Sequence, residues 1–331
     1  MRKFFFGMFL AIGLLTFAGG CLGSAAAREL PVPPESAQVE QALKGVPGAI
    51  FPVGNYNAAN KDHFTGPSYA AALAASTLDG YSRAEEARKT YSQMMGKQAT
   101  GLEKTDPELD GLMKKYIYGD IARQAKLSSR DQHLITLAVL VTQQNQSLLG
   151  KNVQGALQDG VKPIEIRETM YQLAPYIGFG RVADAMETVN GVFRKNGVAL
   201  PLPADGTTTD ADRFEKGLAF QVGTYGERIN QMRANTPEEQ KHLQDDLSAF
   251  CFGDIYTRKN LDLKTREMIT VAAIGTMGTG EPQFTSHVRG LLAAGATREE
   301  AIGVITVMNP YIGFPRTLNC LKNANGVFSG K

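Results

Sequence analysis

From about residue 67 onward, apolar residues recur at helical spacing and no segment alternates convincingly at period two, so the pattern predicts helices and no sheet. Two runs, Leu134 to Val141 and Met268 to Ile274, are nearly all apolar. A helix without a polar face belongs at the centre of a bundle. Each run is followed by an amphipathic stretch ending at Gly160 or Gly295, a residue suited to terminating a helix. A third helix then leads to Pro-Tyr-Ile-Gly-Phe, and a last one closes the segment. Starts are marked by Ser82-x-x-Glu85, Asp106-Pro107, Thr236-Pro237-Glu238-Glu239 and Thr297-x-x-Glu300, which combine capping side chains with first-turn prolines or acids.

The plan occurs twice. Tyr118-Gly119-Asp120-Ile121 recurs as Phe252-Gly253-Asp254-Ile255, and Leu127 through Thr136 aligns with Leu261 through Thr270. After a one-residue insertion, Val153-x-Gly155 matches Val288-x-Gly290. Pro175-Tyr176-Ile177-Gly178-Phe179 then recurs as Pro310-Tyr311-Ile312-Gly313-Phe314, and Arg181 matches Arg316. The same order at an offset that shifts by a single residue marks an internal repeat. The chain therefore divides into 1–27, an irregular lead-in over 28–66, a first repeat over 67–196, a linker over 197–212 and a second repeat over 213–331. The expected class is all-α, two tandem helical repeats.

Composition adds to this picture. Hydrophobic residues make up 43% and charged residues 21% of 331, a globular profile. The formal charge is +2, and Arg2 and Lys3 supply that excess, so the body is neutral. A neutral body argues against nucleic acid as a partner. Arg2 and Lys3 followed by the apolar stretch Phe4 to Phe17 predict an export signal and an envelope location. Two endings stay open: lipidation of Cys21 after Ala18-Gly19-Gly20, giving a lipid anchor, or cleavage after Ala25-Ala26-Ala27. Besides Cys21, only Cys251 and Cys320 remain, with no Cys-x-x-Cys; they read as small core residues.

The chemistry concentrates in the second copy. Glu267 stands near the start of the buried helix, and Gln283 and His287 lie four apart on one face of the next. Two antiparallel helices joined by a short Gly-rich turn bring Glu267 and His287 near each other, a carboxylate and an imidazole able to act as an acid–base pair. The plainer alternative is a helix-end salt bridge and a satisfied histidine. The first copy has His133 and Asn152 at these positions, and Asn transfers no proton. Arg316, with Arg181, either binds a substrate carboxylate or is structural, and Tyr311, with Tyr176, shares that ambiguity. No His/Cys/Asp/Glu spacing fits a metal, and no Gly-rich phosphate loop follows a strand, so no cofactor is expected.

Leu261-Asp262-Leu263-Lys264-Thr265-Arg266-Glu267-Met268-Ile269-Thr270, then Gln283-Phe284-x-x-His287-Val288-x-Gly290, then Pro310 through Arg316, resembles the carboxymuconolactone decarboxylase family, which shares its fold with alkyl-hydroperoxidase partner proteins. The resemblance implies helical domains that assemble as trimers or hexamers; for this chain the expectation is a trimer of two-repeat chains, or a free monomer where the assembly surface has been lost. It also implies that Glu267 and His287 are the acid–base pair. Peroxidase-type relatives carry a Cys-x-x-Cys that would fall at Gly280 and Gln283, so thiol peroxidase activity is disfavoured. The expected activity is a cofactor-free lyase or isomerase acting on a small lactone or carboxylate, with Gln283, Tyr311 and Arg316 binding substrate. A non-catalytic envelope scaffold is the alternative.

Overall fold

The computed structural model describes residue 78 and residues 80–330. The export signal over 1–27, Cys21, the lead-in over 28–66 and the start of the first repeat over 67–77 lie outside the described residues. Helix α1 (Arg83–Met95) begins where the Ser82 side chain accepts a hydrogen bond from the Glu85 amide at 3.3 Å. Helix α2 (Pro107–Lys114) runs on as a π-helical stretch, Lys115–Ile121. Then come α3 (Ser129–Thr142), α4 (Gln146–Gln158), α5 (Pro163–Ile177) and α6 (Phe179–Lys195). The second copy repeats the order with α7 (Arg213–Tyr225), α8 (Arg228–Ala234) and α9 (Lys241–Asp246), which continues as the π-helical Leu247–Tyr256. It closes with α10 (Leu263–Met277), α11 (Glu281–Ala293) and α12 (Arg298–Phe328). There is no strand among the described residues.

The local signals mostly act as their chemistry dictates. Thr297 and Glu300 form a reciprocal capping box, and Gly160 and Gly295 have φ of 90° and 89°. Gly178 and Gly313, φ 84° and 74°, make the break within each Pro-Tyr-Ile-Gly-Phe segment. Two signals act differently. Asp106 makes no capping bond. Thr236 bonds back to the Met232 carbonyl at 2.8 Å, and the helix after it opens with a 3₁₀ turn, Glu238–Gln240, that runs directly into α9.

The repeated Gly-Asp-Ile segment is a joint. A Cβ on Gly253 would lie 2.2 Å from the Arg213 carbonyl oxygen, and one on Gly119 2.6 Å from that of Arg83. The next residue pairs with the same arginine: Asp120 with Arg83 at 2.6 Å, Asp254 with Arg213 at 2.7 Å. A missing side chain and an ion pair thus dock the lead-in helix in each copy.

Residues from 80 onward form one compact unit whose main core draws on both copies. Helices α3 and α10, buried nearly all round, pack against each other, and each is covered by the third helix of the other copy: α5 lies on α10, and α12 on α3. At this crossing Glu168 of α5 is fully buried and accepts from Arg258 at 2.9 and 3.0 Å and from Arg167 at 2.9 Å. Where the first copy has Glu168, the second has Gly303, at which a Cβ would lie 2.3 Å from the Ala125 carbonyl oxygen.

Crowding at the joint and open space elsewhere predict opposite outcomes for Gly253 and Gly191. Gly253→Ala should destabilise by about 3 kcal/mol, because its methyl meets backbone rather than a yielding side chain. Gly191→Ala, with open space around its Cβ inside α6, should stabilise by about 0.5–1 kcal/mol. Chemical denaturation of both variants measures this, and a Gly253→Ala chain as stable as the parent would refute the joint.

Candidate functional site

The buried helix α10 starts at Asp262, whose carboxylate accepts from the Thr265 amide at 2.7 Å. That start sets Glu267 one turn in, on the side facing α11. There the carboxylate has no exposed surface, whereas His287 on α11 keeps 8%. Gly290, one turn after His287, lets the helices close, since a Cβ there would sit 2.9 Å from Glu267 Oε2. The result is a direct contact: His287 Nδ1 lies 2.8 Å from Glu267 Oε2.

A third group completes the arrangement. Tyr225, the last residue of α7, donates its hydroxyl to Glu267 Oε1 at 2.7 Å and lies 3.0 Å from His287 Nδ1. Burial, with Glu267 nearby, raises the Tyr225 phenol above its ordinary range, so it stays a proton donor. With one carboxylate oxygen taken by the phenol, the other receives Nδ1–H, and the imidazole is held with Nε2 as its remaining reactive nitrogen. Among the described residues nothing bonds Nε2.

His287 and Tyr225 line an open cleft of about 640 Å³. Its walls are largely apolar, including Ile229, Met232, Leu247, Phe252, Ile274 and Met277, with Gln221, Arg228, Gln283 and Ser286 as polar points. A cleft of this size with few convergent polar groups is typical of a small-molecule site.

The first copy contributes to this cleft. Pro175 and Tyr176, at the end of α5, lie in its wall, and the Tyr176 ring meets the imidazole edge-on at 5.3 Å. The Tyr176 hydroxyl is 2.9 Å from that of Tyr256, which is 3.1 Å from Thr270 Oγ1; Thr270 in turn receives Gln172 Nε2 at 3.1 Å. This buried polar chain crosses between the copies and keeps Tyr176 from turning away. Cys251 also lines the cleft, but burial pushes its thiol up to about 12. Cys320 is likewise pushed up to about 11, and both cysteines are free and buried.

The site residues expected from sequence therefore separate. Glu267 and His287 come together, and Gln283 lines the same cleft. Tyr311 and Arg316 do not, which corrects their assignment to it. The crossing of α12 carries Tyr311 to the first copy, where it lines a cavity of about 20 Å³, the room of one water. Arg316 Nη1 donates to the Thr276 carbonyl at 2.5 Å, and its counterpart Arg181 to that of Thr142 at 3.2 Å. Both arginines satisfy carbonyls at the C-terminal end of a buried helix, where cations and donors are favoured.

In the first copy Met95 occupies the place of Tyr225, and Met94, Met95 and Tyr118 fill the space. His133 turns its Nε2 to Asp159 at 3.2 Å, and burial lowers its pKa. Asn152 donates to the Leu148 carbonyl. Among the described residues no cluster of His, Cys, Asp and Glu could hold a metal.

Sequence alone does not single out Tyr225 at this site, and it marks Tyr176 only beside Tyr311, as substrate-binding or structural. Tyr225 lies in the lead-in helix, where the copies share little beyond Arg83 and Arg213. Tyr176 belongs by sequence to the copy without the pair.

Known proteins resemble parts of this chain. The chain is 27% identical over 120 residues to 4-carboxymuconolactone decarboxylase of Acinetobacter baylyi, a match covering 36% of this chain and 89% of that relative. It is 28% identical over 94 residues to nitrosuccinic acid decarboxylase of Metarhizium robertsii, covering 27% of this chain and 66% of that relative. A crystal structure from Burkholderia xenovorans, of a candidate gamma-carboxymuconolactone decarboxylase subunit, has 19% identity and a TM-score of 0.45 over 75% of this chain and 98% of that chain. The model of the carboxymuconolactone decarboxylase family matches residues 107–190 and again 241–325, about half of the chain, and the chain belongs to that family as a tandem repeat.

Proposed function

We propose that the second copy is a cofactor-free acid–base lyase or isomerase acting on a small lactone or carboxylate in the cell envelope. The observation that carries this reading is the closed Tyr225–Glu267–His287 triangle at the wall of the cleft. A scaffold that had lost its chemistry would not need a fully buried carboxylate matched to a histidine and a phenol, since burying a charge is costly unless it is well bonded. The decarboxylase names of two relatives favour the same class of reaction, and Arg2 and Lys3 ahead of an apolar stretch favour export.

In a decarboxylation the carbon–carbon bond to the carboxylate breaks, CO₂ leaves, and the electron pair passes into the adjacent carbonyl as an enolate. His287, protonated at Nε2, then delivers its proton to the carbon and recovers one from water. Glu267, out of reach of the substrate, orients the ring and stabilises the imidazolium, while Tyr225 fixes the carboxylate. Gln283 offers an amide N–H₂ to the developing oxyanion. For an isomerisation the same imidazole first takes a proton from carbon and then returns it at another position.

A screen of small lactone acids and β-keto acids tests this. With a turned-over substrate, His287→Asn and Glu267→Gln should each lower kcat by about 10²–10⁴. Tyr225→Phe should lower it by roughly tenfold, the weight of one hydrogen bond, without removing a limb of the pH profile, because a phenol raised above its ordinary range does not titrate near neutral pH. Undiminished turnover in His287→Asn would end the reading.

The same structure makes a redox role testable. In a Cys21→Ser chain, neither remaining thiol should react with a thiol reagent at pH 8 until the protein is unfolded, because both titrate at about 11 or above. Rapid reaction of one thiol in the native chain would instead favour thiol chemistry.

A further inference from the structure

With Arg316 committed to the Thr276 carbonyl outside the cleft, the group that reads the charge of an acidic substrate must be sought elsewhere. Among the described residues, the cleft wall contains one charged side chain besides the imidazole, Arg228, the first residue of α8. It is exposed and forms no ion pair among the described residues, whereas most of the other arginines of the second copy are paired or donate to carbonyls. Its guanidinium lies 5.4 Å from the centre of the Tyr225 ring, and the same ring lies 5.7 Å from the imidazole of His287. Arg228 and the reactive nitrogen are therefore neighbours of one aromatic ring, which the hydrogen bond to Glu267 holds in place.

Building on the acid–base reading above, we propose that Arg228 is the carboxylate-binding residue of the cleft and selects substrates with an apolar body and one carboxylate that the reaction retains. Three observations define this class. The guanidinium is a planar fork that matches a carboxylate with two hydrogen bonds. Much of the cleft lining is apolar, including Ile229, Met232, Leu247 and Phe252, and suits a ring or a short hydrocarbon rather than a sugar. The ion pair also cannot be made with the carboxylate that departs. Holding that charge on an arginine would stabilise the ground state more than the transition state, in which the charge moves into the carbonyl, and would slow the loss of CO₂. The anchored carboxylate is the spectator, and the Tyr225 ring neighbours both its arginine and the imidazole that protonates carbon. This position lies outside both stretches matched to the family.

The test is binding, which needs no turnover. Affinities of 3-phenylpropionate and of its neutral amide, 3-phenylpropionamide, are measured by ligand-detected NMR titration on the full chain and on Arg228→Gln, Arg228→Lys and Glu267→Gln. The parent and Glu267→Gln chains should bind the acid at least tenfold more tightly than the amide. Arg228→Gln should bring the two ligands to parity by weakening the acid alone, and Arg228→Lys should restore part of the difference. An acid preference that persists in Arg228→Gln, or a parent chain that shows none, overturns the proposal. Failure of the acid–base reading would show separately, as unchanged turnover in Glu267→Gln and His287→Asn beside an intact Arg228-dependent preference.

Discussion

The constraint on which this fold rests is that α3 and α10 have almost no polar face. A helix that is apolar all round must be covered on every side, and the remaining helices of one copy leave part of it bare. The two copies solve this together: the central helices pack on each other, and each copy sends its third helix over the partner's central one. The polar side chains at this crossing are then buried too, and each must find a partner there. Glu168 is held by arginines, and Gln172, Thr270, Tyr256 and Tyr176 bond in series. Removing one partner from such a set is far costlier than its net contribution suggests, because the other is left buried and unpaired.

The site follows from that crossing. Because α5 ends over the second copy, the tyrosine of the first copy's Pro-Tyr-Ile-Gly-Phe segment forms a wall of the second copy's cleft. By symmetry Tyr311 goes to the first copy, whose acid–base positions hold His133 and Asn152 and whose space is taken by methionines. The first copy is not idle: it supplies about half of the core and places Pro175 and Tyr176 in the wall of the cleft. Fusing the copies allows this division, since each is free to change where the other compensates, as Glu168 and Gly303 show at equivalent positions of the crossing.

Within the site, burial and access are divided among the groups. Glu267 is sealed beneath His287 and Tyr225 and touches those two groups rather than the cleft. His287 alone of that pair reaches the cleft. The thiols lie in surroundings that keep them protonated. The arrangement therefore favours proton transfer at one nitrogen over nucleophilic attack by sulfur.

Much of this was legible in the linear chain. The helical class, the repeat and the termini at Ser82, Thr297, Gly160 and Gly295 are local matters of spacing, capping and backbone freedom. The approach of Glu267 to His287 was legible for the same reason, because adjacent helices joined by a short turn must lie side by side. What only tertiary structure decided was everything that depends on which copy a helix covers. Tyr225, Tyr176 and Arg228 reach the cleft, and Tyr311 and Arg316 leave it, through contacts between segments tens of residues apart. No periodicity encodes such contacts, because the interaction that selects them is the burial of two apolar helices against each other, and burial is set by the assembled core rather than by neighbours along the chain.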